Sequence, residues 1–153
     1  MAMITLNKAR NIVRRTMGYG KEQALKPLCV VVLDAGGHVI AAERADGASP
    51  GRYDVAFSKA YGAVMLGMGG QAQKARAEQQ AYFINAVNGV FGGKLVPVPG
   101  GVLVLDKKEN VIGAVGVSGD TSENDEAAAV EGIDAVGLTA RAQLIAFFPE
   151  GAI

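Results

Sequence analysis

Two pairs of apolar, β-branched segments are each joined by a link of four residues, and this spacing constrains the fold more than any other feature. The first pair is "LCVVVL" and "HVIAAER", joined by "DAGG"; the second is "VLVLD" and "VIGAVGV", joined by "KKEN". Parallel neighbours would need a crossover of roughly a dozen residues, whereas antiparallel strands need only a tight turn. The links therefore predict two antiparallel hairpins.

Helical periodicity is found before, between and after these hairpins. The predicted helices run from Leu6, after the N-cap candidate Thr5, to about Gly18; from Arg52 to about Met68; over "EQQAYFINAV"; and from about Ser122 to Phe147. The glycine-rich "GMGGQAQ" is expected to interrupt the helical region. Helices that cover a sheet made of the two hairpins and one further strand give an α+β fold.

Composition excludes several classes of partner. Fifteen basic and fifteen acidic residues cancel, and no continuous run of Lys or Arg is present, so we expect no nucleic-acid partner. No apolar run approaches the ~20 residues of a membrane span, so we expect no membrane partner and a cytoplasmic chain starting near Met1. The 153 residues fit a single domain over 1–153. Cys29, the single cysteine, is interpreted as a core residue.

The corner "GAVGVSGDTSENDEAAAVEGI", residues 113–133, combines a glycine-spaced strand with an acidic helix start. A serine hydrolase is not expected, because the second glycine of G-x-S-x-G falls at Asp120. A phosphate site is not expected either, because its glycine motifs are missing and the acids would repel an anion.

Two interpretations of this corner stay open. Ser122 and Asp125 are spaced as in a capping box, and acids in a first helical turn are favoured by the helix dipole. The glycines Gly113, Gly116 and Gly119 weaken a strand unless another backbone or a ligand approaches closely. The corner is therefore either a helix start or a surface that faces a ligand.

The segments "VVVLDAGGHVIAAERADGASPGRYDVAFSKAYGA" and "VPVPGGVLVLDKKENVIGAVGVSGDTSENDEAAAVEGI" resemble the signature blocks of the GlcG/HbpS family, also known as DUF336-type, which includes the C-terminal domain of PduO-type proteins. The resemblance covers about Leu6 to Leu138. It implies a five-stranded antiparallel sheet flanked by helices, in a profilin-like or PAS-like arrangement, assembled into oligomers.

Family members have been associated with haem, with corrinoids and with the catabolism of small organic acids. The resemblance therefore implies a small-ligand-binding protein whose cofactor is haem or a related tetrapyrrole, with corrinoid as another possibility. Some haem-binding relatives use a histidine of the first helix, but "LNKARNIVRRTMGYGKEQAL" contains none, so histidine ligation at that position is excluded. The only histidine, His38, is interpreted as a surface residue of a hairpin turn.

The alternative function is an enzyme that acts on a small carboxylated intermediate by acid and base chemistry. Lys59 lies in a helix that is otherwise apolar on that side, so it is expected to need a carboxylate partner, as a structural ion pair or as a catalytic pair with Glu126. The candidate catalytic residues are Lys59, Glu126 and Asp125. The candidate ligand-binding residues are Asp46, Gly47, Arg52, Pro99, Gly100, Gly101, Ser118 and Gly119, and no metal ligand is assigned. A homo-oligomer is also expected, with "AVMLGMGG" as a flat apolar patch.

Overall fold

The computed structural model describes residues 2–143, which have an α+β fold. In chain order the elements are α1 (Leu6–Glu22), β1 (Cys29–Asp34), β2 (Val39–Arg44), α2 (Arg52–Leu66), α3 (Gly70–Gln79), α4 (Ala81–Val90), β3 (Gly101–Leu105), β4 (Val111–Ser118), α5 (Ser122–Ala135) and β5 (Thr139–Arg141). The α+β fold class predicted from the sequence is confirmed.

The five strands of the described chain lie in a single antiparallel sheet, in the order β2-β1-β4-β3-β5. Both predicted hairpins are confirmed, since β1 pairs with β2 and β3 pairs with β4. Each turn begins with an aspartate, Asp34 or Asp106, whose Oδ1 accepts the backbone N–H groups of the residues two and four positions later. This Asx geometry closes the turn locally and explains why so short a link suffices.

The sheet is covered on both faces, so the chain has two apolar layers. The helices α1 and α5 cover one face, and α2 covers the other. On the first face lie Val30, Val32, Val102, Val104, Val115 and Val117; on the second lie Cys29, Val31, Leu33, Leu103, Leu105 and Ala114. The thiol of Cys29 is fully enclosed, and burial raises its pKa, so it packs as a small apolar side chain.

The break between α2 and the next helix is shorter than the glycine-rich segment predicts. The helix α2 ends at Leu66, and Gly67 follows in a left-handed conformation at φ 64°. α3 begins at Gly70, within the predicted break, and only Gln80 separates it from α4. Two short helices therefore stand where one was expected.

The predicted end of the last helix is also wrong. α5 ends at Ala135, and Gly137 then adopts φ 77°, a conformation that costs glycine little. The chain turns back so that Thr139–Arg141 pairs with β3 as an edge strand. The remainder of the predicted helix, up to Phe147, lies outside the described residues.

Candidate functional site

Lys59 of α2 and Asp125 of α5 form a buried ion pair. The Lys59 Nζ donates to Asp125 Oδ2 at 3.0 Å and to the backbone oxygen of Val117 at 3.0 Å. Only 3% of Lys59 and none of Asp125 is exposed. The second Asp125 oxygen accepts the backbone N–H of Asp120 at 2.9 Å. Both charges are therefore neutralised inside the protein, the condition under which a buried pair is tolerated.

Glycines bring α2 close enough to the sheet for this pair to form. A Cβ at Gly116 would collide with the backbone oxygen of Ala56, and one at Gly101 would collide with that of Lys59. Gly100, at φ 119°, lies beside the Lys59 side chain, where a Cβ would stand 2.9 Å from Nζ. In this part of the corner the close approach is that of another backbone, which accounts for the glycine spacing without a ligand.

The corner residues predicted to bind a ligand lie in the packed interior. Pro99, Gly100, Gly101, Ser118 and Gly119 are all buried. Ser118 accepts a hydrogen bond from Arg52 Nη1 at 3.0 Å, which ties the start of α2 to the end of β4. A Cβ at Gly119 would collide with the backbone oxygen of Pro27. Asp46 and Gly47, by contrast, are exposed in the loop after β2.

The start of α5 differs in detail from the predicted capping box. The N-cap residue is Thr121, whose hydroxyl accepts the backbone N–H of Asn124 at 3.2 Å. Ser122 is instead the first helical residue, and Asp125 points into the interior towards Lys59. Asp120 accepts from the backbone N–H of Lys26 at 2.8 Å, which attaches the corner to the chain before β1.

Glu126 is the corner carboxylate that Lys59 does not contact. Its Oε2 accepts from Gln71 Nε2 at 2.6 Å, while its Oε1 is enclosed and has no hydrogen-bond partner among residues 2–143. Burial raises the pKa of Glu126, the nearby charge of Glu123 adds to the increase, and the Gln71 hydrogen bond opposes it. The Glu126 carboxyl is therefore chemically suited to hold a proton.

A surface hollow on α1 was not anticipated from the sequence. Its volume is about 610 Å³, and it is lined by Arg10, Arg14, Met17, Gly18, Lys21 and Glu43. We call it the α1 hollow. None of its three cations takes part in an ion pair among the described residues. The signal was available, because Arg10, Arg14 and Lys21 are spaced four and seven residues apart and so share a helix face.

A second hollow continues the surface around α1. It measures about 540 Å³, and Arg14 and Gly18 line both hollows. A Cβ at Gly18 would meet only Arg15 Nη1, at 4.0 Å, so the helix surface is open there. The two hollows together form a broad basic surface, and no side chain projects from it at Gly18.

Neither a metal cluster nor a membrane span is apparent in the part of the chain that the structure describes. Residues 2–143 contain no group of three or more His, Cys, Asp or Glu side chains placed to hold a metal ion. No helix within them is both long and apolar enough to cross a bilayer. His38 is exposed at the end of the first hairpin turn.

The fold and the corner together define a class of protein, an antiparallel α+β domain in which a buried Lys–Asp pair connects the helices on opposite faces of the sheet. The family model described as "Haem degrading protein HbpS-like" matches residues 4–134, so the chain belongs to the HbpS-like family. The resemblance inferred from the sequence motifs is thereby confirmed. Among curated proteins, none matches this chain.

Solved structures agree with this assignment. The chain is similar to the crystal structure of a PduOC:haem complex, with a TM-score of 0.81 and 21% identity over 92% of this chain and 99% of that one. It is similar to a double mutant of HbpS from Streptomyces reticuli, with a TM-score of 0.75 and 25% identity over 88% of each chain. It is also similar to the Klebsiella pneumoniae protein ORFY of family DUF336, with a TM-score of 0.77 and 26% identity over 90% and 93%.

Proposed function

We propose that this protein binds haem or a related tetrapyrrole, and that the ligand lies on the α1 hollow. The observation that carries the proposal is the presence of Arg10, Arg14 and Lys21 around one hollow without ion-pair partners among residues 2–143. The family membership and the haem complex of a structural relative support the choice of ligand.

The residues of the hollow fit such a ligand in two respects. Guanidinium and ammonium groups pair well with carboxylates, and haem carries two propionates. A planar macrocycle also needs a surface without protruding side chains, which Gly18 provides between the two hollows. The hollow's volume of about 610 Å³ lies within the roughly 300–1,000 Å³ of small-molecule sites.

Met17 is the residue of the α1 hollow that would hold the iron of a bound haem through its thioether sulfur. No histidine, cysteine or tyrosine lines the hollow, whereas a methionine thioether ligates haem in some cytochromes. A bound haem would supply the redox and oxygen chemistry of its iron, while this chain would hold the propionates and shield one face of the ring.

The proposal is tested by titrating haemin into the purified chain and following the Soret band. We expect saturable binding that falls about tenfold when Arg10, Arg14 and Lys21 are all changed to Gln, because each exposed charge contact contributes about 0.5 kcal/mol. The dimethyl ester of haem, which lacks free carboxylates, should bind the wild type as weakly as haemin binds the triple variant.

The matched control removes three exposed lysines elsewhere, Lys26, Lys74 and Lys107, by the same change to Gln. This variant carries the same net charge as the triple variant of the hollow, so equal losses in both would mean that binding is only general attraction. No spectral change on adding haemin to the wild type would contradict the proposal outright.

A second candidate is an enzyme that uses Glu126 as a general acid. The observation that favours it is the raised pKa of Glu126, together with an enclosed Oε1 that lacks a partner among residues 2–143. Lys59 and Asp125 would then position the corner rather than react, because they neutralise each other. Glu126→Gln should abolish turnover of a carboxylated substrate and leave haemin binding unchanged.

The expected homo-oligomer stays a prediction, but the segment "AVMLGMGG" does not offer the flat apolar patch that was expected to form the contact between copies. In "AVMLGMGG" Ala63, Met68, Gly69 and Gly70 are buried within the chain. Large apolar side chains are exposed on α4 instead, with Tyr82 at 72% and Val90 at 75% exposure. Light scattering of the wild type and of Tyr82→Ser should report a loss of mass in the variant, and a monomeric wild type would contradict the prediction.

A further inference from the structure

Arg76 of α3 is a buried cation without an anionic partner among residues 2–143. Only 8% of the residue is exposed, and its guanidinium carbon lies 5.1 Å from the centre of the Phe83 ring of α4. The ion pairs of the described chain involve Arg15, Lys59 and Arg141, and the side-chain hydrogen bonds of α3 belong to Gln71 and Gln73. Phe83 is therefore the observed partner of this charge.

A single aromatic face does not compensate for burying a guanidinium. The cation–π contact contributes about 0.5–2 kcal/mol, whereas removing a charge from water costs several kcal/mol unless the charge is paired. The five N–H donors of an arginine also need acceptors when they leave water. The energetics point to an anion that completes this site when it is bound.

Arg76 is not completely sealed from solvent, since 8% of the residue is exposed. Gln73 lies one turn before Arg76 on the buried face of α3; its Nε2 donates to the backbone oxygen of Met68, and its Oε1 has no hydrogen-bond partner among residues 2–143.

We infer that Arg76 anchors a small carboxylate at the α3–α4 junction, in a site separate from the α1 hollow. A carboxylate matches the planar fork of the guanidinium with two parallel hydrogen bonds and carries one negative charge against one positive charge. A phosphate would bring up to about two negative charges, and within residues 2–143 the only other buried cation, Lys59, is already paired with Asp125. The other charged residues of α3, Lys74 and Glu78, are exposed.

The two cations among the candidate site residues, Lys59 and Arg52, already have partners within the protein. Lys59 is neutralised by Asp125, and Arg52 donates to the buried Ser118 hydroxyl. Arg76 is the buried cation whose charge is not neutralised within residues 2–143. Its sequence context, "QAQKARAEQ", resembles that of any solvated helix, which is why the pattern did not indicate it.

The test is calorimetric titration of the full chain with acetate, lactate, succinate and inorganic phosphate, with chloride used to hold the ionic strength constant. We expect saturable binding of at least one of the three carboxylates at one per chain, with phosphate weaker by about tenfold or more. Failure of all three carboxylates to bind, or phosphate binding as tightly as they do, would overturn the inference.

The variant Arg76→Met keeps the packing volume and removes the charge. It should weaken carboxylate binding by about tenfold or more, since a charge-assisted hydrogen bond is lost. It should also unfold no more readily than the wild type without ligand, because an unpaired buried charge is replaced by an apolar group. Retained affinity in Arg76→Met would overturn the inference, and Lys74→Met, one exposed cation on the same helix, should bind like the wild type.

Nuclear magnetic resonance supplies a measurement that does not depend on the Met variant folding. The Nε–H resonance of Arg76, assigned by its loss in Arg76→Lys, should shift as the carboxylate is added and saturate at the calorimetric midpoint. A resonance that stays fixed while carboxylate binds would place the ligand elsewhere. Haemin binding should be the same in Arg76→Met and wild type, so this site and the α1 hollow can fail independently.

Discussion

The corner from Ser118 to Glu126 and the α1 hollow both contain charged groups, but among residues 2–143 these groups are paired in the one region and not in the other. In the corner, Lys59 meets Asp125, and Asp120 accepts backbone N–H groups from Lys26 and Thr121. On α1, the cations of the hollow have no ion-pair partner among residues 2–143. The corner uses its polar groups to hold elements together, whereas the α1 hollow leaves them available.

Because of this difference, a ligand is expected to gain more binding free energy at the α1 hollow than at the corner. A polar group that is already paired inside the protein must break that pair before it binds anything else. An unpaired group on an accessible surface loses only water. We therefore expect variants of the corner to change stability first, and variants of the α1 hollow to change binding first.

The largest expected effect comes from breaking the buried pair in the corner. Lys59→Met or Asp125→Ala alone should lower the free energy of unfolding by about 3–5 kcal/mol, because each leaves an uncompensated buried charge. The double variant should recover part of that loss, since it removes both charges. Urea denaturation of the four proteins measures the coupling, and additive losses would show that the two residues do not act as a pair.

A somewhat smaller effect is expected from filling the space at Gly119. Gly119 has φ 153° and faces the backbone oxygen of Pro27, so Gly119→Val should cost about 3 kcal/mol through overpacking. If the corner faced a ligand, this change would impair binding and leave the fold largely intact; the close backbone makes a loss of stability the expected result.

Gly89 is the matched control for Gly119. It lies in α4 with no atom within 4 Å of its added Cβ, so Gly89→Ala should raise the free energy of unfolding by about 0.5–1 kcal/mol. Thermal melts would distinguish the two sites. A Gly119→Val protein as stable as the wild type would reopen the interpretation of the corner as a ligand-facing surface.

The hairpins, the α+β class and the family were predictable because each depends on local or ordered patterns. A four-residue link between β-branched segments permits only an antiparallel turn, and the motifs from Asp34 to Glu126 occur in order along the chain. The end of α5 was not predictable, because "VGLTARAQ" continues an apolar spacing that suits a helix or an edge strand. Pairing with β3 decides between them.

The candidate site was less predictable because burial and pairing are tertiary properties. The spacing of Asp125 and Glu126 does not show which carboxylate turns inward, since neighbouring helical positions differ by about 100°. The geometry assigns Asp125 to Lys59 and Glu126 to Gln71. The spacing of Arg10, Arg14 and Lys21 indicates a shared helix face, but it does not show whether other residues neutralise these charges. Arg76 was not predictable, because a buried and an exposed arginine look alike in a sequence.

A modest effect is expected at the cap of α5, and it separates two adjacent hydroxyls. Thr121→Ala should cost about 1 kcal/mol, because the Asn124 N–H loses its acceptor. Ser122→Ala should be close to neutral, since Ser122 is the first helical residue rather than the cap. Chemical denaturation of both variants is sufficient, and a larger loss in Ser122→Ala would restore the capping box predicted from the sequence.

The smallest effect is expected in the pH dependence of stability, to which Asp120 and Glu126 should contribute in opposite directions. Hydrogen bonds from Asn124, Lys26 and Thr121 lower the pKa of Asp120 from 3.8 to about 2. Its folded pKa is below its unfolded value, so its contribution is present above pH 3.8 and is lost as the pH falls towards 2.

Above pH 3.8, Asp120→Asn should therefore be less stable than the wild type, and this difference in the free energy of unfolding should disappear as the pH falls towards 2. The pKa of Glu126 is raised above 4.5 by burial, so the wild type should lose stability relative to Glu126→Gln as the pH rises above 4.5. Urea melts at a series of pH values from about 2 to 7 measure both slopes. If the stability of both variants relative to the wild type changed with pH in the same way, Asp120 and Glu126 would have the same electrostatic environment. The distinction between a hydrogen-bonded and an enclosed carboxylate in the corner would then be wrong.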